Sequence, residues 1–214
     1  MPRSRFEKSE VVIDSSCLRC MLVLNRVFPQ YRLFNALALR YYVVHIPQHV
    51  WNEVGRKGHT RGPLKRLVQR HQIFQRCDVG SQHRAKLLYD RQTNPRAPIH
   101  RGEAETIIQA QELGISEVLM DERKGTKIAL AHSLNPRGIV GLIREFTLNG
   151  VIPEARPLFE ECKRNRFWLD DELIESVLKE TGESPKSFAV IRRSHTCDFD
   201  FNPKQFGTEL SYSA

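Results

Sequence analysis

The stretch Arg101–Glu122, RGEAETIIQAQELGISEVLMDE, predicts a helix, a glycine stop and a short buried strand. Apolar residues between 104 and 113 recur at roughly helical spacing, and Gly114 follows where a helix commonly ends on a left-handed residue. The apolar run 118–120 is typical of a parallel strand that is buried on both faces. Because this strand ends in Asp121, a carboxylate is expected at the carboxyl edge of a sheet, where open α/β folds bind their ligands.

Two further apolar runs have the composition of buried strands. Residues 11–13 lead directly into Asp14, and residues 42–46 are β-branched or aromatic and are followed by Pro47. Helical patterns separate these runs from each other and from the strand at 118–120. Strands that alternate with helices indicate an α/β fold with a central, mostly parallel sheet.

The overall composition is that of a globular protein without a membrane anchor. Of the 214 residues, 40% are hydrophobic and 27% are charged, and no apolar run approaches the roughly 18 residues that span a bilayer. The charged N-terminus does not resemble a secretory signal, and five cysteines without such a signal predict free thiols. A cytoplasmic location is therefore expected.

Carboxylates stand at the predicted ends of four separate elements: Asp14, Glu53, Glu103 and Asp121. Carboxylate oxygens are the protein ligands that Mg²⁺ and Mn²⁺ prefer, whereas grouped acids without a cation repel each other. Taken singly, each acid also has a plainer interpretation as a helix cap, a favourable charge at a helix N-terminus or a solvated side chain. If the four converge, they predict a cation site suited to phosphodiester hydrolysis.

Two neighbouring acids complicate this set. Glu105 lies two positions from Glu103, about 200° away around a helix, so the two side chains do not readily face one site. We favour Glu103 for the site. Glu122 follows Asp121 directly and is an additional candidate ligand.

Four segments in this order resemble the PIN domain nuclease family: VVIDSS (11–16), IPQHVWNEV (46–54), RGEAETIIQAQELGISEVLMDE (101–122) and RGIVGLI (137–143). The likeness covers about residues 11–183. It is nearest to the VapC-like branch with a Gly-Glu-Ala-Glu motif and with paired glycines near the last strand, here Gly138 and Gly141. The resemblance implies a three-layer α/β/α fold.

The resemblance also implies a metal-dependent endoribonuclease. Its catalytic acids would be Asp14, Glu53, Glu103 and Asp121, and its Mg²⁺ or Mn²⁺ ligands would be Asp14, Glu103, Asp121 and Glu122. Ser16 stands at a position that assists the site in such proteins by hydrogen bonding, and we group it with the substrate-binding residues. Many relatives resemble toxins held by a small antitoxin protein, and relatives of this kind often pair as homodimers.

The net charge of +8 comes from 33 Lys and Arg against 25 Asp and Glu. Residues 56–101 contain twelve cations and only Asp78 and Asp90 as acids, so this segment alone has a charge of +10. A solvated face is the plainer interpretation. Concentrated positive charge beside an acidic site favours contact with the RNA backbone. The cations assigned to substrate binding are Lys65, Arg66, Arg70 and Arg101.

The expected organisation is an N-terminal lead (1–9), a PIN-like nuclease domain (10–183) with a basic helical insertion (56–98), and a C-terminal tail (184–214). Two other functions stay open. The first is a non-catalytic PIN-like module that binds RNA or acts as a scaffold, in which the acids are remnants. The second is a phosphatase-like α/β enzyme, although Asp14-Ser15-Ser16 lacks the second Asp of a haloacid-type nucleophile motif.

Cysteines and tryptophans are assigned to the core. Cys17 and Cys20 have the spacing of a redox or metal pair, but no second pair follows and the segment is an apolar helix. Trp51 and Trp168 are likewise interpreted as core residues and not as platforms for stacking nucleobases.

Overall fold

A computed structural model describes residues 8–56, 58–90, 95 and 99–183. The strands are β1 (Ser9–Ile13), β2 (Tyr41–Pro47), β3 (Phe74–Cys77), β4 (Glu117–Leu119) and β5 (Asn135–Arg137). The helices are α1 (Ser15–Val27), α2 (Leu33–Arg40), α3 (Gln48–Arg56), α4 (Gly58–Arg70), α5 (Gln82–Tyr89), α6 (Arg101–Leu113), α7 (Arg123–Ala131), α8 (Ile139–Leu148), α9 (Arg156–Arg164) and α10 (Asp171–Glu180). The tail 184–214, most of the lead 1–9 and most of the segment 91–98, which its two prolines predict to contain a loop, lie outside the described residues.

The strands form one parallel sheet in the order β3-β2-β1-β4-β5, with β1 at its centre. Successive residues of a strand point to opposite faces. Accordingly, Val11 and Ile13 belong to a core cluster with helices α1–α4 and α8–α10, whereas Val12 belongs to a second cluster with α6 and α7. Helices thus cover both faces, and the predicted three-layer α/β/α fold with a parallel sheet is confirmed.

The carboxyl ends of the parallel strands all meet at one edge of the sheet. Asp14 follows β1, α3 follows β2, Asp121 lies two residues after β4, and Gly138 follows β5. The Asp14 amide donates to the Leu119 carbonyl over 2.9 Å, which ties the ends of β1 and β4 together. No helix in the described ranges combines the length and apolar character needed to cross a bilayer.

Three local predictions are wrong. Strand β3 was not predicted, because only Phe74 of its four residues is buried and this edge strand presents no apolar run. Residues 136–140 are predicted from their sequence to form a loop and a short strand, but Ile139 and Val140 open helix α8, and the strand at this position is limited to Asn135–Arg137. Pro63 predicts the start of a helix, because proline is favoured at the first helical position, but helix α4 begins at Gly58 and the proline lies inside it.

A cluster of ion pairs fixes the opposite, amino edge of the sheet. Arg40 Nη2 and Arg137 Nε lie 2.9 and 2.6 Å from the carboxylate oxygens of Glu117, the first residue of β4. The same two guanidinium groups contact Glu145 on α8 at 3.2 and 2.8 Å. The Tyr41 hydroxyl also donates to Glu117 over 2.7 Å, and burial together with this carboxylate raises the pKa of Tyr41.

We expect Glu117→Gln to lower the free energy of unfolding by about 2 to 3 kcal/mol, because it leaves two shielded guanidinium groups with one carboxylate between them. The matched control is Glu180→Gln, which removes an ion pair with Arg144 whose side chains are 42% and 43% exposed. That change should cost less than about 1 kcal/mol. Urea denaturation measures both, and equal losses would contradict a structural role for the cluster.

Candidate active site

Asp14 is held at the junction of β1 and α1. Its Oδ2 accepts hydrogen bonds from the Ser16 amide (3.3 Å) and the Ser16 hydroxyl (2.7 Å), so the carboxylate caps α1. Its Oδ1 is buried and has no hydrogen-bond partner among the described residues. Burial raises the pKa of Asp14 and the charge of Glu53 raises it further, against the effect of the Ser16 hydrogen bonds.

Glu103 lies in the first turn of α6, and only 3% of the residue is exposed. Its Oε2 accepts a hydrogen bond from the His100 amide over 2.6 Å, while its Oε1 is buried without a partner in the described structure. Burial raises the pKa of Glu103 to about 7, and the charges of Asp14, Glu122 and Glu53 act in the same direction. Asp14, Glu122 and Glu53 therefore lie close enough to Glu103 for their charges to act on it.

Asp121 follows β4 and is fixed by two donors. Its Oδ1 accepts the Ile139 amide at the start of α8 over 2.8 Å, and its Oδ2 accepts the Cys17 thiol over 3.0 Å. Burial raises the pKa of Asp121 to about 6, and the charge of Asp14 contributes in the same direction. Asp121 and Asp14 are thus neighbours whose charges repel across the ends of β4 and β1.

Glu53 and Glu122 lie at the margins of this group. A Cβ atom at Gly102 would be 3.3 Å from Glu53 Oε2 and 3.6 Å from Asp14 Oδ1, so both carboxylates face the start of α6. Glu53 Oε1 also lies 3.8 Å from Arg19 Nη1. Glu122 is exposed and precedes α7. The acids predicted from the sequence therefore gather at one edge of the sheet.

Two glycines leave room for the acids. A Cβ atom at Gly125 would lie 2.8 Å from Glu103 Oε1, and one at Gly138 would lie 2.5 Å from Asp121 Oδ1. Both distances are shorter than a carbon–oxygen contact allows. The carboxylates can occupy their positions because these residues have no side chain.

The donor set meets the needs of a divalent cation only in part. As the side chains stand, no group of three or more His, Cys, Asp or Glu in the described ranges has the geometry to hold a metal ion. One oxygen of Asp14, one of Glu103 and both of Asp121 are held by protein donors. However, the set contains only hard oxygen ligands, two of which are buried without a partner in this part of the chain, and such ligands suit Mg²⁺ or Mn²⁺.

The residues assigned to substrate binding lie at different distances from this group. Ser16 is within it, with its hydroxyl on Asp14. Arg101, at the start of α6, donates to Glu105 over 2.8 Å and to Gln82 over 3.2 Å. The other three, Lys65, Arg66 and Arg70, are exposed on α4, which packs against α3, the helix of Glu53. Lys57, Arg91 and Arg96, which also belong to the basic segment, lie outside the described residues.

Glu105 is occupied elsewhere. It is 1% exposed, and it accepts hydrogen bonds from the His49 amide (3.1 Å) and from Arg101 Nε (2.8 Å). The carboxylate thus joins α6 to α3 and to its own helix. This placement follows the predicted separation of Glu103 and Glu105 around the helix.

Several residues near the site were missed or misassigned. Cys17 is buried as predicted, but its thiol donates to Asp121, a contact that no spacing rule indicates. Trp168 was assigned to the core and is 54% exposed, so that interpretation is wrong, whereas Trp51 packs partly buried on the main core. The exposure of Trp168 could have been predicted from its position two residues before Asp170, the N-cap of α10, because this position places it in a loop.

Comparison with known proteins supports this picture of the chain. The family model DUF3368, whose description is PIN domain, matches residues 10–183. The matched range includes all of the acids described above. No curated protein matches the chain closely enough to count as a relative.

Gly138→Ala should displace Asp121, because the added methyl group would lie 2.5 Å from its Oδ1. We expect a loss of about 1 to 3 kcal/mol in the free energy of unfolding, as the Ile139 amide loses its acceptor. Gly141→Ala is the matched control: its methyl group would meet only Arg137 Cγ at 3.4 Å, inside helix α8. Helix propensity predicts a gain of about 0.5 to 1 kcal/mol there. Thermal denaturation compares the stabilities of the two variants. A loss of stability in Gly141→Ala without one in Gly138→Ala would refute the argument that an added methyl group at 138 displaces Asp121.

The free energy of unfolding should depend on pH through Glu103. Its folded-state pKa is about 7 against a usual 4.5, so the folded protein holds this proton more tightly than the unfolded chain does. Without divalent cations, the free energy of unfolding should therefore fall as the pH rises from about 4.5 to 7. Glu103→Gln removes this loss and should raise the free energy of unfolding at pH 8, with EDTA present, by about 2 kcal/mol.

The control for this experiment is Glu161→Gln. Glu161 is also buried, but its carboxylate contacts Arg164 and accepts a hydrogen bond from Asn165 over 2.7 Å. This variant should be destabilised, because it loses a paired charge. Denaturation curves at pH 5 and pH 8 separate the two cases. If Glu103→Gln lowers the free energy of unfolding by the same amount at both pH values, the surroundings of Glu103 do not disfavour its charged form.

Proposed function

Because the chain belongs to the PIN domain family, we propose that it is a metal-dependent endoribonuclease that hydrolyses phosphodiester bonds of RNA. Membership of this family indicates a nuclease-type function on nucleic acid. The observation that supports the narrower proposal is the group of Asp14, Glu103 and Asp121 at the carboxyl edge of the sheet. All three have raised pKa values, and two have a buried oxygen without a partner among the described residues.

We assign Asp14, Glu103, Asp121 and Glu122 to the binding of Mg²⁺ or Mn²⁺. Asp14 Oδ1 and Glu103 Oε1, which have no hydrogen-bond partner in the described part of the chain, are the first candidates as ligands. When bound, such a cation supplies a water of lowered pKa and stabilises negative charge on the phosphodiester. It would also offset the repulsion among the acids.

The protein's own groups keep these carboxylates in place. Ser16 holds Asp14 Oδ2, which leaves Oδ1 turned toward the start of α6. The Ile139 amide and the Cys17 thiol hold both oxygens of Asp121. We assign Glu53 to orienting the attacking water and accepting its proton, because Glu53 Oε2 faces the same place as Asp14 Oδ1 and a third of its side chain is exposed.

The basic segment would hold the RNA backbone. Arg56, Arg61 and Lys65 line a cavity of about 480 Å³ between α3 and α4, beside the helix that supplies Glu53. Arg66 and Arg70 continue the exposed positive face of α4. Such contacts bind phosphates and provide affinity without base specificity. RNA would then extend from α4 along α3 to the acids, where Arg101 stands at the start of α6.

The sequence also supports a narrower biological proposal. The Gly-Glu-Ala-Glu motif and the glycines Gly138 and Gly141 resemble the VapC-like branch, so we propose a cytoplasmic toxin restrained by a small antitoxin and able to form a homodimer. Expression should then arrest growth, and Asp14→Asn should relieve the arrest. Normal growth with an intact, cleaving enzyme would refute the toxin role alone.

Cleavage of a labelled single-stranded RNA tests the enzymatic proposal. The wild-type protein should cleave it with Mg²⁺ or Mn²⁺ and not with EDTA. Asp14→Asn and Asp121→Asn should each reduce the rate at least about 100-fold, because each removes an assigned ligand. Glu161→Gln serves as the control for loss of a buried carboxylate that is not assigned to the site, and its rate should stay near that of the wild type at a temperature where the variant is folded.

Other results would favour other functions. Unchanged cleavage in both aspartate variants would refute the site assignment. RNA binding without cleavage by the wild-type protein would favour the non-catalytic module. Release of phosphate from a small monoester without attack on RNA would favour the phosphatase-like enzyme.

A further inference from the structure

An open cavity of about 680 Å³ connects the candidate active site with an exposed tryptophan. Asp121 and Gly138 line it at the acidic edge of the sheet, and Trp168 lines it from the loop between α9 and α10. Thr126 and Asn135 also border it. The cavity therefore begins at an assigned metal ligand and reaches an aromatic ring.

Trp168 is not a buried structural residue. Over half of it is exposed, although burial of a tryptophan ring is strongly favourable. The guanidinium carbon of Arg123 lies 4.1 Å from the centroid of the ring, which is the geometry of a stacked cation–π pair. Arg123 is only two residues from Asp121 along the chain, so the pair stands next to the acids.

The orientation of this pair is fixed. Arg123 Nη2 lies 3.3 Å from Asp170 Oδ2, and the other oxygen of Asp170 caps α10 by accepting the Leu173 amide over 3.2 Å. Trp168 is among the residues that line the cavity and Arg123 is not, so we expect the ring to offer the cavity a surface that the guanidinium does not cover. A planar ligand entering the cavity would meet a ring that is already held in place.

We infer that Trp168, backed by Arg123, is a stacking platform for an unpaired RNA base adjacent to the scissile phosphate. The inference rests on the proposed ribonuclease function and adds to it a residue that would contact a base of the substrate. A base can lie on the ring only when it has left its duplex partner, because paired and stacked bases do not expose a face. Trp168 is then a specificity-determining residue.

The surroundings favour a nucleobase over an apolar protein segment. The remainder of the cavity wall is mixed in character: Thr126, Asn135 and Arg137 are polar or charged, and Met120, Val140 and Leu169 are apolar. Hydroxyl and amide groups can hydrogen-bond to the edges of a base, whereas an aliphatic helix would leave them unpaired. The cation stacked on the ring also suits a ligand that has a phosphate attached to it.

Tryptophan fluorescence tests the stacking directly. The chain has two tryptophans, so Trp51→Phe leaves Trp168 as the only one. Addition of a short single-stranded RNA oligonucleotide, with EDTA present, should quench this fluorescence, because a stacked base quenches an indole ring. The same sequence in a duplex should quench much less. Absence of quenching by bound single-stranded RNA would overturn the inference.

Binding and cleavage kinetics provide the second measurement. Trp168→Leu should weaken single-stranded RNA binding and raise KM about tenfold, because the loss of one base–aromatic stack weakens binding by roughly that factor or more. Trp168→Phe keeps an aromatic face and should change KM less than about threefold. The matched control is Leu130→Ala, which alters an exposed apolar residue on α7, the helix of Arg123, and should leave KM unchanged.

The outcomes distinguish this inference from the proposed function. Quenching by the oligonucleotide without any cleavage would support the platform and refute the nuclease. Cleavage with an unchanged KM in Trp168→Leu would refute the platform and leave the nuclease in place. If Trp168→Leu changes the molecular mass of the protein in sedimentation but leaves RNA binding and cleavage unchanged, the surface binds a second copy of the chain and the inference is wrong.

Discussion

Repulsion among buried carboxylates is the constraint on which the rest of this structure depends. A parallel sheet brings the ends of its strands to one edge, so the acids after β1 and β4 become neighbours. Burial makes their charges costly, as the raised pKa values of Asp14, Glu103 and Asp121 show. A fold selected only for stability would avoid this arrangement, which is why strained carboxylates indicate function.

The scaffold compensates for this strain in two ways. At the acidic edge, backbone amides and small groups hold the carboxylates, and Gly125 and Gly138 leave the space that a side chain would fill. At the amino edge, Glu117 and Glu145 are each paired with two arginines, so opposite charges balance there. One edge of the sheet is therefore electrostatically satisfied and stable, and the other is left with unbalanced negative charge.

The sequence predicted the layered fold and the gathering of the acids, because both follow from local patterns. Apolar runs that end in Asp14 and Asp121 need only the geometry of a parallel sheet to meet. Strand β3 was missed because its stability comes from pairing with β2 and not from its own composition. The contact of Cys17 with Asp121, and the position of Trp168 over Arg123, arise from packing between elements distant in sequence, which no local pattern encodes.

The Ile139 amide that holds Asp121 has a consequence for synthesis of the chain. Asp14 is translated early. The amide that orients Asp121, its neighbour in the site, belongs to Ile139 at the start of α8, much later in the chain. A nascent chain can therefore contain all of the acids before it can arrange them. The acidic edge can be completed only when α8 docks against the end of β4, so its final order waits for a segment made after the last acid of the group.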